Sequence, residues 1–149
     1  MRIFLTGGMG FIGSHTAVAL LEAGHEVTLY DNLSNADRSV CERIAQITGN
    51  TPLFIEGDIR DEKKLETALK STGAEAVIHF AGLKAVGESV EKPLEYYDNN
   101  VVGTVRLLQA MRNAGVTRLI FSSSSTVYGT PETLPLREDF PTGEATNPY

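Results

Sequence analysis

The sequence predicts an α/β fold of Rossmann type, a doubly wound parallel sheet, on three observations. Short apolar runs rich in β-branched residues alternate with stretches of helical period. A glycine-rich turn joins the first run to the first helix. An aspartate closes the second run.

The apolar runs fall at residues 2–5, 26–30, 53–56, 76–80 and 118–121. They are nearly continuous in apolar character, as expected of strands buried on both faces. Between them, apolar residues recur at spacings of three and four. Ile12, Ala19 and Leu20, with Ala23 near the end, mark the first helix; Val40, Ile44 and Ile47 mark the second. Leu65, Ala68 and Leu69 mark the third, and Val101, Val105, Leu108 and Met111 the fourth. Gly24 and Gly115 stand where C-terminal glycine stops belong, and Asp61 is placed to cap the third helix. Right-handed crossovers then predict the strand order 3-2-1-4-5. Residues 130–148 hold four of the six prolines and no helical period, so a loop is expected there. The closing Pro148-Tyr149 reads as the opening of a further helix, so the domain is expected to be incomplete at residue 149.

Composition narrows the function classes. The net charge of −6 and pI near 5.0 argue against nucleic acid and anionic membrane surfaces as partners. No apolar run approaches the roughly 20 residues of a membrane helix, and Arg2 leads straight into a strand without a leader, so a cytoplasmic location is expected. Cys41 is the only cysteine, which precludes an internal disulfide, and its surroundings suggest a structural role. His15, His25 and His79 lack paired-ligand spacing, so no metal site is expected.

The first turn runs Thr6-Gly7-Gly8-Met9-Gly10-Phe11-Ile12-Gly13. Glycines at this point let a pyrophosphate approach the backbone and meet the positive end of the first helix. Asp31 lies eighteen residues past Gly13, where a carboxylate accepts hydrogen bonds from the adenosine ribose and repels a 2′-phosphate, favouring NAD over NADP. The alternative is a plain tight turn, with Asp31 capping the next segment. Ligands of such sheets bind at the carboxyl ends of the strands. Asp58-Ile59 and Phe80-Ala81-Gly82 stand there. Gly82 permits close backbone approach, and Lys84 offers a cation to a phosphate or is simply a solvated loop lysine. Ser122-Ser123-Ser124-Ser125-Thr126 brings hydroxyls to the same edge, to hold a reacting sugar oxygen or merely to form a serine-rich turn.

With these segments in view, the chain resembles the UDP-glucose 4-epimerase (UDP-galactose 4-epimerase) family, a branch of the extended short-chain dehydrogenase/reductases. The resemblance rests on residues 6–15, Asp31-Asn32-Leu33, Glu56-Gly57-Asp58-Ile59-Arg60, residues 77–100, residues 121–129 and Asn147-Pro148-Tyr149, with His79 to Ser89 the most specific stretch. It covers the whole chain but only about the first half of the family's length. It implies that residues 1–149 are an incomplete NAD-binding Rossmann domain, the substrate-binding C-terminal domain being absent from this chain.

By that resemblance Phe11, Ile12, Asp31, Asn32, Asn35, Asp58, Ile59, Phe80, Ala81, Gly82, Lys84 and Asn99 line the NAD site. Gly7, Gly10, Gly13, Ser34, Ser122, Ser124 and Tyr149 join them, although Ser34 and Ala36 depart from the family pattern in the adenosine loop. Ser124 and Tyr149 are implied to be catalytic and to touch the sugar. Tyr149 takes the proton of the 4-hydroxyl, C4 is oxidised by hydride transfer to the nicotinamide, the 4-keto sugar rotates, and the hydride returns to its other face. The family's lysine four residues after the tyrosine falls beyond residue 149, so these residues alone are expected to be inactive. Implied partners are a UDP-sugar and, for the full-length enzyme, a second copy in a homodimer. The rivals are a 4-epimerase for another UDP-sugar, a nucleotide-sugar dehydratase and a non-catalytic NAD-binding module. Dehydratases of the family place Asp-Glu where Ser125-Thr126 stand here, and neither residue can serve as acid or base in the elimination.

Overall fold

Five parallel strands form one sheet in the order β3-β2-β1-β4-β5 in the computed structural model, which describes residues 1–149, and this is the order expected from the crossovers. The strands are β1 (Arg2–Thr6), β2 (Glu26–Asp31), β3 (Leu53–Glu56), β4 (Ala76–His79) and β5 (Leu119–Phe121). The helices α1 (Phe11–Glu22), α2 (Ser39–Thr48) and α3 (Glu62–Thr72) follow the first three strands. After β4 come α4 (Val86–Glu91), α5 (Pro93–Tyr96), a π-helical segment (Tyr97–Val102) and α6 (Gly103–Ala114). A 3₁₀ turn (Ser125–Tyr128) follows β5, and no helix or strand forms beyond it. No helix is long and apolar enough to cross a membrane.

Burial on both faces explains the near-continuous apolar strands. Phe4, Tyr30 and Val77 point to one side and pack with Leu65, Leu69, Leu107 and Met111 of α3 and α6. Ile3, Leu5, Val27, Leu29 and Ile78 point to the other and pack with Ala17 and Ile44 of α1 and α2. Alternation at period two is hidden in the sequence because helices cover each side.

The expected stops and cap are present. Gly24 and Gly115 adopt φ of 80° and 74°, and the Asp61 side chain accepts a 3.0 Å hydrogen bond from the Lys64 N–H. Two helical faces are corrected. On α1 the core-facing residues are Gly13 and Ala17, while Ile12 and Ala19 are exposed. On α6 the core takes Gly103, Leu107, Ala110 and Met111, and Val105 and Leu108 lie outside, as does Val101 on the preceding π-helical segment. The three-and-four spacing was real, but it continues an exposed apolar line through Val90, Leu94 and Tyr97 on the preceding turns. Of the second helix only Ile44 is fully buried, and Ile47 is exposed. The helical structure from Val86 to Asn100, ahead of the apolar period that starts at Val101, has no counterpart in the sequence pattern, because Glu, Lys, Tyr and Asn dominate much of that stretch.

Candidate functional site

β1 lies between β2 and β4, so the connections leaving it diverge at its carboxyl end and open a crevice there. The glycine turn fills this point. Gly7 adopts φ +66°, and its N–H donates to the Tyr30 carbonyl at 2.8 Å. A Cβ on Gly7 would sit 2.5 Å from the Ala81 nitrogen, and one on Gly13 would sit 2.3 Å from the Gly7 carbonyl oxygen. Both glycines are therefore required by close backbone approach as well as by conformation. Helix α1 begins at Gly10 with no side-chain cap and no acidic residue in its first turn. Its first amides have no intrahelical acceptor, and its positive end faces the cleft.

Asp31 is buried and tied to that turn. One carboxylate oxygen accepts the Met9 N–H at 3.1 Å, and the other accepts the Leu33 N–H at 2.9 Å. The capping role and the binding role are thus compatible. A carboxylate offers about four acceptor positions, so one on each oxygen stays open toward the cleft.

Sixteen of the residues expected around the cofactor meet on the wall of this cleft: Gly7, Gly10, Phe11, Ile12, Gly13, Asp31, Asn32, Ser34, Asn35, Ile59, Phe80, Ala81, Gly82, Lys84, Asn99 and Ser122. Phe11 and Ile12 present exposed apolar side chains at its mouth. Lys84 forms no ion pair with any carboxylate of the chain and is available to an anion. Asn99 arrives from the π-helical segment, an irregularity common at functional sites. Tyr30, Gly57 and Leu83 also line the cleft and were missed. Each adjoins a predicted position, and Gly57 is further required by tertiary contact: a Cβ there would lie 2.3 Å from the Tyr30 hydroxyl oxygen.

Asp58, Ser124 and Tyr149 are not on that wall. The Asp58 carboxylate accepts four hydrogen bonds, three from Arg60 and one from Asn32 Nδ2 at 3.0 Å. The Arg60 guanidinium and backbone N–H hold its carboxyl far below the usual carboxylate range against the opposing effect of burial. With its acceptor positions filled, Asp58 braces the end of β3 against Asn32, and Arg60 carries the brace on to Asp98 at 2.8 Å. Ser124 opens the 3₁₀ turn. Its Oγ accepts the Thr126 N–H at 3.2 Å and the Thr126 hydroxyl at 2.9 Å, which leaves its own O–H free to donate. The Tyr149 ring centroid lies 5.6 Å from Lys84 Nζ, so the end of the chain folds back to the cofactor loop. Cys41 is half-buried with Sγ 3.6 Å from the Met9 sulfur, and burial pushes its thiol up, the environment of a structural cysteine.

An uncapped helix terminus, glycines with no room for Cβ atoms and an open-faced carboxylate define a dinucleotide-binding fold whose residues fit NAD. Comparison with known proteins gives the family. The family model described as GDP-mannose 4,6 dehydratase matches residues 4–149. The UDP-glucose 4-epimerase of Klebsiella pneumoniae is 57% identical over 138 residues, covering 93% of this chain and 99% of that protein. The chain belongs to this family, on its UDP-glucose 4-epimerase branch. The UDP-glucose 4-epimerase of Yersinia pestis is 56% identical over the entire chain, which spans 44% of that relative's length. Among solved structures, UDP-glucose 4-epimerase from Bifidobacterium longum in complex with NAD+ and UDP is 50% identical with a TM-score of 0.96, over 100% of this chain and 44% of that one. The enzyme from Stenotrophomonas maltophila with bound NAD and formylated UDP-arabinopyranose is 48% identical, also with a TM-score of 0.96 and the same coverage.

Proposed function

We propose that the protein interconverts UDP-galactose and UDP-glucose with NAD as a resident cofactor, and that residues 1–149 provide its cofactor half. The observation that carries this is the convergence of the glycine turn, Asp31 and Lys84 on one cleft, with Ser124 and Tyr149 at the same edge of the sheet. When bound, NAD supplies a hydride acceptor at sugar C4 and gives the hydride back to the opposite face of the ring.

The amides of α1's first turn hold the pyrophosphate, and Lys84 adds a cation. Asp31 accepts from the ribose hydroxyls through its two open positions and disfavours a 2′-phosphate by charge. Phe11, Ile12 and Phe80 exclude water from the bound cofactor. Ser124, whose oxygen is occupied by Thr126, donates its hydrogen to the sugar 4-oxygen. Tyr149, acting as the phenolate, takes the proton of the 4-hydroxyl onto its oxygen and becomes the neutral phenol. Dehydration is disfavoured because Ser125 and Thr126 supply no acid or base, and the Thr126 hydroxyl is already committed to Ser124.

Incubating the full-length protein with UDP-galactose and no added nicotinamide tests the proposal. Proton NMR of the anomeric signals should show UDP-glucose forming, and should show almost none with Ser124→Ala or Tyr149→Phe. Absence of conversion by the wild type refutes it. Residues 1–149 alone should not turn over, since the family's lysine lies past Tyr149; conversion by that piece would refute this part separately.

A further inference from the structure

A line of hydrogen bonds, buried at its start and half-buried beyond, leads to the cleft, and the chemistry above gives it no role. Thr6 ends β1 and His79 ends β4, paired across the ladder, and both are buried. His79 Nδ1 lies 2.5 Å from Thr6 Oγ1, and its Nε2 lies 3.0 Å from Thr104 Oγ1 in the first turn of α6. The Thr104 hydroxyl donates to the Asn100 carbonyl at 2.6 Å. The Asn100 side chain then closes a two-bond ring on Leu83, donating to its carbonyl at 2.9 Å and accepting its N–H at 2.8 Å. Asn99 Nδ2 donates to the same Asn100 oxygen at 2.9 Å.

Counting donors gives this line a direction. A carbonyl only accepts, so the single hydrogen of the Thr104 hydroxyl is committed to Asn100. Thr104 Oγ1 can then meet His79 only as an acceptor, and Nε2 must carry a hydrogen. At the other nitrogen, Thr6 Oγ1 faces the Ala81 N–H at 3.5 Å and has no acceptor except Nδ1. The Thr6 hydroxyl therefore donates to an unprotonated Nδ1. A cationic ring would strand that buried hydrogen without a partner, at a cost the fold avoids.

The end of the line is the cofactor cleft. The π-helical turn, a rare form frequent at functional sites, places Asn99 on the cleft wall beside the loop carrying Leu83 and Lys84. Thr104 and Asn100 fasten that turn to the sheet and to the loop. We propose that His79, fixed as the neutral Nε2–H tautomer and acting through Thr104 and Asn100, is the positioning residue that sets Asn99 and the Leu83/Lys84 loop at the cleft. The inference rests on the reading of that cleft as the NAD site.

The experiment uses the full-length protein labelled with ¹⁵N-histidine. A two-bond ¹H–¹⁵N spectrum near pH 7 should show the His79 ring neutral and protonated at Nε2, with the signal assigned by its loss in His79→Gln. A ring protonated at Nδ1, or at both nitrogens, overturns the inference. In parallel, NAD is titrated onto cofactor-stripped protein. Thr104→Val should bind NAD about tenfold more weakly and exchange the Leu83 amide faster, with the amides of β1 and β4 unchanged. Thr104→Ser should restore both. Should Thr104→Val not fold, Asn100→Ala carries the same expectation on NAD affinity. Wild-type affinity and exchange in these variants overturn the positioning role while leaving the cofactor reading intact. A wild-type protein that takes up no NAD overturns both.

Discussion

Replacing Gly13 with alanine sets two effects of opposite sign against each other. Alanine is favoured over glycine within a helix by up to about 1 kcal/mol. Against this, the new Cβ would lie 2.3 Å from the Gly7 carbonyl oxygen and 2.9 Å from Gly8 Cα, both backbone atoms. Nonbonded carbon contacts settle at about 3.5–4 Å, so the first turn of α1 must retreat by about an ångström. The glycine turn cannot yield instead, because Gly7 is held by Tyr30 and already crowded against Ala81. Overpacking of this kind costs about 1–3 kcal/mol, and set against the helical gain it leaves a net loss of up to about 2 kcal/mol. Withdrawing the helix amides from the pyrophosphate should also weaken NAD by about tenfold or more. The matched control is Gly87→Ala, where a Cβ meets nothing within 4 Å and φ is not positive. Thermal melts of both variants, with and without NAD, should show Gly13→Ala lowered by a few degrees and Gly87→Ala unchanged or raised. A Gly13→Ala protein that melts and binds NAD like the Gly87 variant refutes the close-approach argument.

Burial, helped by the Lys84 charge, pushes His79 down to about 4 from 6.5. As pH falls the unfolded chain takes up this proton first, so the His79 contribution is complete above pH 6.5 and lost as pH drops toward 4. The loss amounts to about 3 kcal/mol, and urea melts from pH 7 to 4.5 should show a slope that His79→Gln reduces. Asp31→Asn removes the charge that repels a 2′-phosphate and one of the two acceptors holding Met9 and Leu33. NAD affinity should fall by about tenfold and NADP should gain relative to NAD in parallel titrations. Thr126→Val frees Ser124 Oγ from one of its two donors. Turnover of UDP-galactose should drop by about fivefold to tenfold with NAD affinity unchanged, and an unchanged kcat would refute the directed-hydroxyl argument.

Much of this site was legible because its signals are local. The turn from Gly7 to Gly13, and Asp31 at the tip of the next strand, depend on residue types within a few positions of each other. Lys84 follows from its place beyond the fourth strand and Asn99 from resemblance alone, and the structure places both on the same wall as the turn. Asp58 shows the limit. The resemblance puts it among the cofactor residues, but no local pattern shows that Arg60 two residues on and Asn32 on a neighbouring strand's loop donate to its carboxylate. Gly57 lies within the Glu56-Gly57-Asp58-Ile59-Arg60 motif, but why glycine is needed there is not legible locally, because the atom that demands it belongs to Tyr30.

The strand runs, the glycine stops, the Asp61 cap and the order of the sheet were determined by the sequence alone, since each follows from residues three or four apart or from the handedness of a crossover. Tertiary structure decided which side of α6 is buried, because Val101, Val105 and Leu108 offer a second face with the same period as Leu107 and Met111. It also decided the state of His79, whose partners lie 73 and 25 residues away. Short-range patterns record what a residue prefers. Hydrogen-bond direction and the choice between two apolar faces depend on which distant atoms packing brings alongside.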